Sequence, residues 1–457
     1  MVGHRFRRAA ATVAAATVVL AGVAQAEPAA ADGQQLPSGR TAYRTWDDYL
    51  HDMQALATGH PDLVHEFALP NRTIQGRTDH GLEITSHVNR ADGKPALLIV
   101  GLHHGNEFAS GDETMEFGFD LVQHYGHDAQ ITRLLDTARV VLVPVVNPDG
   151  LVADRRVNGE DVDINRNYGF GWQGIPTDEN VGTGPFSEPE SRNIRDLVSS
   201  HQITTFVTMH TCEALILYPP LAFHEGTPQD QSRFVALAKA MAADTGYGYK
   251  ASADDYQTSG EAISWSYYAT RGLGYTIEDC TVPASGSGIT RDFQTMVVNQ
   301  YYGTGDYTDG AQGGMRAAYL TALADAARPG SHATITGRAP EGAVLDISKS
   351  FDLWTAPVRK TDGSIGPLPV PTHLTSRLVV GAGGAFDWAT NPSLRPVPPY
   401  QPDGIHTRHP GFEHESWTLT CSTAGGKVLQ RTAVTVELGQ VKHVDLSTCR
   451  KRWRDRG

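Results

Sequence analysis

The sequence is poor in cysteine, has no excess of positive charge and contains no long apolar run after its first residues. Its four cysteines in 457 residues are too widely spaced for a metal site made of sulfur alone. The net charge of −13 argues against a nucleic-acid partner, which would require a basic surface. With 40% hydrophobic and 19% charged residues, the composition is typical of globular proteins. At this length we expect two folded units.

Residues 1–26 have the pattern of a secretory signal peptide, with a basic start, a short apolar run and small residues before Ala26. The apolar run is shorter than the roughly 20 residues that a membrane span requires, and no later segment supplies one. We therefore expect a secreted, extracellular protein without stable membrane association. Loss of this peptide removes three arginines and no acids, so the net charge changes from −13 to −16. Residues 27–40 lack periodicity, which predicts a flexible leader.

The four cysteines fall into two groups along the chain, Cys212 with Cys280 and Cys421 with Cys449. In an oxidising compartment, four cysteines allow three disulfide pairings. The wide gap between the groups favours one bridge in each of two domains, and free thiols are the alternative.

Apolar runs alternate with amphipathic stretches over residues 41–328, which predicts an α/β layered domain. The periodicity predicts helices at 46–57, 108–125 and 314–327, and buried strands at 95–102, 138–146, 204–209 and 272–278. The segment from Ser187 to Glu190 has the S-x-x-E form of a capping box and predicts the start of a further helix. Beyond Arg328, strand-like runs are separated by Gly- and Pro-rich turns, with no convincing helix. Residues 329–457 are therefore predicted to form a small β-sandwich.

Two buried strands are each followed by residues that bind metals. His104 and Glu107 come just after the 95–102 strand, and His210 follows the 204–209 strand. A lone H-x-x-E motif is weak evidence, because polar residues are common in surface turns. However, open α/β sheets gather ligands at the carboxyl ends of their strands. Two histidines and one carboxylate are protein ligands typical of a catalytic zinc site, in which the fourth coordination position stays open to water or substrate.

The 272–278 strand brings another carboxylate, Glu278, to the same edge of the sheet. At this place it is expected to take a proton from a metal-activated water and pass it to a leaving amine. The segment 155–168 adds arginines and asparagines, and arginine suits bidentate binding of a carboxylate. For each arginine taken singly, a solvated surface position is the alternative.

Residues 41–328 resemble the zinc carboxypeptidase family of the pancreatic carboxypeptidase A and B type. Seven separated motifs carry the resemblance in the order found in the family. They are HGNE at 104–107, NPDG at 147–150, VDINRNY at 162–168, SEPE at 187–190, MH at 209–210, YQTSGEAISW at 256–265 and YTIED at 275–279. The resemblance implies a mixed sheet sandwiched by helices and a metallocarboxypeptidase, here a secreted member of bacterial type. Its implied substrates are the C-termini of peptides and proteins.

The resemblance also implies the metal site. His104, Glu107 and His210 are its zinc ligands, with one Zn²⁺ per chain, and Glu278 is the catalytic carboxylate. Asp163 resembles the acid that orients the first zinc histidine, and such a partner fixes the imidazole tautomer.

Substrate-binding residues carry over in the same way. Asn165 and Arg166 resemble the pair that grips the substrate's terminal carboxylate, and Tyr256 resembles the mobile tyrosine that closes over it. Arg156 fits the oxyanion-stabilising arginine by its distance from the NRN motif, with the neighbouring Arg155 as the alternative.

The sequence departs from the pancreatic enzymes at several positions. Asn106 stands where they have an arginine, and HGNE is closer to the processing-type carboxypeptidases, as is a β-sandwich after the first domain. Cys212 stands where they have a tyrosine. Because Cys212 and Cys280 each lie two residues beyond a group implied at the metal, we expect a Cys212–Cys280 bridge beside the site, with Cys421 paired to Cys449.

The alignment places Ile263 at the pocket position that is apolar in the A type and acidic in the B type. We expect a preference for apolar C-terminal residues, because an unpaired Lys or Arg head group is costly to bury. Glu261 would give mixed specificity if it pointed into the pocket, but we expect it to be a solvated loop residue. The alternatives are an amidase for muropeptides or acyl-amino acids on the same scaffold, and an inactive binding module.

Overall fold

The computed structural model describes residues 34–280, 291–304, 311–406 and 411–454. The predicted signal peptide, residues 1–26, lies outside this part of the chain. In the part described, we find no helix whose length and hydropathy would suit a bilayer span.

An α/β region makes up the larger part of the structure. Its strands are β1 Val64–Ala68, β2 His80–Ile84, β3 Ala96–Val100, β4 Arg139–Val143, β5 Ile203–His210, β6 Leu215–Tyr218, β7 Gly248–Ala251 and β8 Leu273–Glu278. Its helices are α1 Trp46–Gly59, α2 Phe108–His124, α3 Ala129–Thr137, α4 Pro148–Ala153, α5 Pro189–Ser200, α6 Gln231–Thr245, α7 Ala262–Thr270, α8 Asn299–Tyr302 and α9 Gly314–Ala327.

The eight strands form one mixed sheet in the order β1-β2-β4-β3-β5-β8-β6-β7. Strands β4, β3, β5 and β8 are parallel neighbours, whereas β2 and β6 run antiparallel beside them. All residues of β3 and β5 are buried, in keeping with the apolar sequence ALLIV of β3 and with the lack of Asp, Glu, Lys and Arg in β5, ITTFVTMH. The predicted α/β fold with a mixed sheet is confirmed. Because these central strands are parallel, their carboxyl ends meet at one edge.

A β region follows. Its strands are β9 Ala333–Arg338, β10 Val344–Trp354, β11 Val358–Arg359, β12 Ile365–Gly366, β13 Pro369–Val379, β14 Ala385–Thr390, β15 Leu394–Pro396, β16 Tyr400–Gln401, β17 Gly404–Ile405, β18 Phe412–His414, β19 Trp417–Ser422, β20 Val428–Val434 and β21 Val441–Val444. The four-stranded sheet β13-β10-β19-β20 and the three-stranded sheet β14-β9-β21 share one apolar core. The predicted later β-rich domain is thus confirmed.

The β region also contributes to the core of the α/β region. The Tyr400 ring is fully buried 5.0 Å from the Phe170 ring, measured between centroids. Its hydroxyl donates to Glu225 at 3.2 Å. Gly171 has φ +64°, and an added Cβ there would press against the same ring, so this contact requires glycine. The side chains of the β region that belong to this core are Leu353, Ala356, Val370 and Tyr400.

Both predicted disulfides, Cys212–Cys280 and Cys421–Cys449, are present and confirmed. The prediction of a flexible leader is wrong for residues 35–40. Leu36 is buried in the core, and Ser38 bonds to Glu116 through both its amide and its hydroxyl.

Two other local predictions need correction. The helix predicted to start at Ser187–Glu190 is present as α5, which begins at Pro189 after Glu188, but the capping box is absent, because the Ser187 hydroxyl donates to Glu188 and accepts from Asn167 instead. The C-terminal part does contain a helix, α10 Ser447–Arg454, which the disulfide holds through the buried Cys449.

Candidate active site

The loop after β3 carries His104 and is held by the turn that follows β4. Asn147 caps α4 by accepting from Gly150 N at 2.8 Å, and its amide donates to the carbonyl oxygens of His103 at 3.4 Å and Arg156 at 3.3 Å. An added Cβ on Gly105 would collide with the backbone of Gly150. The HGNE and NPDG motifs thus pack tightly against each other, and this packing fixes the backbone position of His104.

His210 and Glu278 reach the same edge from β5 and β8. These strands are parallel neighbours, and their register sets His210 opposite Glu278. Strand β3 lies on the other side of β5, so the His104 loop is the next neighbour. The convergence expected at the carboxyl ends of the strands is therefore observed.

His104, Glu107 and His210 form a compact, buried group whose candidate ligand atoms all lie within 4.8 Å of one another. Glu107 Oε1 lies 2.7 Å from His104 Nδ1, and its Oε2 lies 3.0 Å from His210 Nδ1. The two Nδ1 atoms are 3.1 Å apart. These inward-facing nitrogens and the carboxylate converge on one point, as metal ligands do.

The outer side of His104 supports the same conclusion. Its Nε2 lies 3.2 Å from Asp163 Oδ1, which therefore accepts the ring N–H and leaves Nδ1 available to a metal. Two imidazoles and one carboxylate fit zinc, with a fourth position left for a ligand from solution. Burial alone would lower the pKa of His104, but the Glu107 and Asp163 carboxylates outweigh it and raise the pKa to about 9.

Arg156, rather than Arg155, reaches this site. Its Nε and Nη2 donate to Asp163 Oδ2 at 3.0 and 2.6 Å, and its Nη1 lies 3.0 Å from His104 Nδ1. Arg155 is exposed and pairs with Asp161. The guanidinium of Arg156 thus lies beside the three candidate metal ligands.

The Glu278 carboxyl faces the same group from β8. Burial first, and then the negative charge of Glu107, hold the pKa of Glu278 well above its ordinary value. A carboxyl group placed in this way is suited to carry a proton.

Arg166 lies at the centre of a second group of polar side chains, next to the candidate metal ligands. It is buried, and its Nε donates to Glu179 at 2.9 Å while its Nη1 donates to Glu261 at 3.3 Å. Its Nη2 lies 3.4 Å from the Tyr256 hydroxyl oxygen. Asn165, the preceding residue, accepts from the backbone amide of Ala262 at the start of α7 at 3.2 Å. A cavity of about 420 Å³ opens beside these groups, lined by Arg156, Arg166, Tyr256, Glu179 and residues 175–177 and 257–259.

Two pocket residues differ from expectation. Glu261 is only 4% exposed and pairs with Arg166, so the prediction that it is solvated is wrong. The buried positive charge of Arg166 compensates its carboxylate and makes burial possible. Ile263 is fully buried in α7 against β8, where a Cβ added to Gly274 would lie 3.0 Å from Ile263 Cβ, and it does not line the 420 Å³ cavity. Its role in specificity stays a prediction.

Sequence reasoning missed the residues beneath the site. His103, which the resemblance left without a role, stacks on His210 with ring centroids 5.7 Å apart. Its ring nitrogens lie 2.8 Å from the hydroxyl oxygens of Thr208 and Tyr168. The only signal was that these residues sit inside or beside the quoted motifs. Glu179 was also missed, and it lies outside all of them.

The sequence profile of the zinc carboxypeptidase family matches residues 49–284, more than half of the chain. The chain belongs to the zinc carboxypeptidase family. Carboxypeptidase A1 of Mus musculus is 31% identical to it over 263 residues, which cover 51% of this chain and 61% of that protein. The chain thus spans less than two thirds of the length of the first carboxypeptidases that it matches. Enzymes of this family depend on zinc, in agreement with the donor set of His104, Glu107 and His210.

Solved carboxypeptidase structures share the fold. The crystal structure of thrombin activatable fibrinolysis inhibitor aligns with a TM-score of 0.53 and 19% identity, over 62% of this chain and 74% of that one. Carboxypeptidase A from Helicoverpa armigera aligns with a TM-score of 0.52 and 20% identity, over 65% of this chain and 77% of that one. At this level of identity, the likeness concerns the fold alone.

Proposed function

We propose that this chain is a zinc-dependent exopeptidase that hydrolyses the last peptide bond of peptides and proteins. The observation that carries the proposal is the position of a buried arginine, Arg166, on the same cavity as Arg156, which in turn contacts the metal-ligating histidine. One cation can hold a chain end while the bond before it lies at the metal site. A cleft that binds free carboxylates in this way selects the end of a chain.

At the substrate's terminus, Arg166 and Asn165 bind the carboxylate, since a guanidinium offers two parallel N–H donors to it. The Tyr256 hydroxyl lies within 3.4 Å of Arg166 although the side chain is half exposed, so it can close over the bound residue. Binding at this end places the scissile bond and reduces the entropic cost of reaction.

His104, Glu107 and His210 would hold the zinc ion. When bound, zinc lowers the pKa of a coordinated water to about 7 and polarises the scissile carbonyl group. Glu278 accepts the proton of the attacking water and passes it to the leaving amine. Arg156 donates to the oxyanion that develops on the carbonyl oxygen, and loss of one such donor commonly costs about 10²–10³-fold in kcat.

For the removed residue, we propose an apolar or mixed preference. Ile263 provides no partner for a cation, whereas the buried Glu261 carboxylate offers one next to Arg166. Matched blocked dipeptides ending in Phe and in Arg measure the preference, and Glu261→Gln is expected to reduce kcat/KM for Arg while sparing Phe. Equal loss for both would assign Glu261 to positioning Arg166.

The decisive control for the activity is a peptide with an amidated C-terminus. We expect its hydrolysis to be at least tenfold slower, about the effect of losing one charge-assisted hydrogen bond pair. Equal rates for free and amidated peptides would refute exopeptidase action. We also propose that the protein is secreted, which its two disulfides and the signal-like residues 1–26 support.

A further inference from the structure

The carboxylate of Glu179 bridges the two arginines of the proposed substrate site. Its Oε2 accepts from Arg166 Nε at 2.9 Å, and its Oε1 accepts from Arg156 Nη2 at 3.2 Å. Glu179 belongs to the exposed loop that lines the 420 Å³ cavity, and its amide donates to Thr177 Oγ1 at 3.1 Å. A protein carboxylate therefore already lies between the groups that would receive a substrate.

The terminal nitrogens of Arg166 have partners as well. Its Nη1 contacts Glu261 and the carbonyl oxygen of Asn165, and its Nη2 contacts the Tyr256 hydroxyl. A carboxylate bound by two parallel N–H groups requires Nη2 together with either Nε or Nη1, so it must displace Glu179 from Nε or a partner of Nη1 such as Glu261. The Glu179 side chain is 36% exposed, compared with 6% for Glu261. Glu179 is the partner that can leave, because an ion pair of a partly exposed carboxylate contributes little and its charge is readily hydrated in water, whereas separating Glu261 would leave a buried charge without compensation.

We propose that Glu179 is a specificity-determining residue which occupies the place of the substrate's terminal carboxylate and must be displaced for substrate to bind. The inference rests on the proposed function. Displacement precedes the chemical step, so Glu179 weakens substrate binding and leaves turnover unchanged. Its charge stays at the entrance of the cavity and disfavours substrates whose last side chain is acidic.

The experiment compares Glu179→Gln with Asp178→Asn in the zinc-loaded protein. Both variants remove one negative charge from the same loop, but Asp178 is exposed and neither arginine contacts it in the described structure. We expect Glu179→Gln to lower KM for a blocked dipeptide about three- to tenfold. This range corresponds to the loss of two partly exposed ion pairs, one with each arginine. We expect kcat to change by less than about twofold, and Asp178→Asn to leave both constants near wild type.

A binding measurement separates this inference from the proposed function. Calorimetry with 3-phenylpropanoate, which carries a carboxylate and a phenyl group but no amide bond, should show a Kd lowered by the same factor in Glu179→Gln. Unchanged KM and Kd would overturn the inference, and so would a rise in either, which would mean that Glu179 positions Arg166 and Arg156 for binding. Failure of the wild type to cleave any free-carboxylate peptide would instead refute the proposed function, and the calorimetric comparison would still test Glu179.

Discussion

Replacing Asp163 by Asn is expected to weaken zinc binding without unfolding the protein. Asp163 is 1% exposed, and its two oxygens accept from three partners. Oδ1 accepts from His104 Nε2 at 3.2 Å and from the amide of Asn165 at 2.9 Å, whereas Oδ2 accepts from the Arg156 guanidinium. Asn has the same shape but replaces one of these acceptors with an NH₂ donor. Either His104 or Arg156 must then face a donor.

The size of the effect follows from these contacts. Burial opposes ionisation of Asp163, but His104, Arg166 and Arg156 hold the pKa of this carboxyl well below its ordinary value, so the charge is present at neutral pH. Loss of a carboxylate that orients a zinc histidine commonly weakens metal affinity about 10–100-fold. This corresponds to about 1.4–2.8 kcal/mol. The kcat value should fall as well, because Arg156 loses its bidentate partner.

A competition titration of zinc against a chromophoric chelator measures this affinity, and far-UV circular dichroism checks that the variant is folded. Asp161→Asn is the matched control, since it removes the same charge from the same segment, but at an exposed residue that pairs only with Arg155 among the described contacts. A folded Asp163→Asn variant with wild-type zinc affinity would refute the argument that this carboxylate orients His104.

Three further predictions follow from the site and its surroundings. Glu278→Gln should lower kcat by about 10²–10⁴-fold with nearly unchanged KM and zinc content, and equal turnover would contradict its role. Burial raises the pKa of Glu225 to about 8, so the folded state keeps a proton that the unfolded chain releases above its ordinary value of 4.5. Stability should therefore fall as pH rises from about 5 to 8, and thermal melts of Glu225→Gln should show a smaller fall. Replacing both Cys421 and Cys449 by Ala should lower the free energy of unfolding by about 2–4 kcal/mol in urea titrations, and an unchanged midpoint would be inconsistent with a stabilising bridge.

The metal-binding edge was predictable because its determinants are local. Strands β3, β5 and β8 are almost entirely buried, so they contain no charged residue before their carboxyl ends, where His210 and Glu278 lie and the loop with His104 begins. Parallel neighbours must bring such ends together. The strand order alone therefore predicts that His104, His210 and Glu278 lie close together.

The pairing around Arg166 was not predictable in the same way. Glu261 lies 95 residues away in the chain, and its burial depends on meeting Arg166 in the folded state. Its charge alone favours the surface, which is why the prediction failed. Glu179 lies in an irregular loop. Such a loop has no hydrophobic periodicity from which its conformation could be predicted. The same applies to Ser187, whose hydroxyl is taken by contacts with Asn167 and Glu188 that compete with helix capping.

The insertion of Tyr400 changes what deletion of the C-terminal part would mean. Removing residues 329–457 would expose Phe170 and would leave the buried Glu225 without the hydrogen bond from the Tyr400 hydroxyl. Phe170 also stacks on Tyr268 of α7, the helix that carries Ile263, at 4.2 Å between ring centroids. Expression designs that end after α9 would therefore produce a protein with a cavity beside α7, prone to aggregate through the newly exposed aromatic surface.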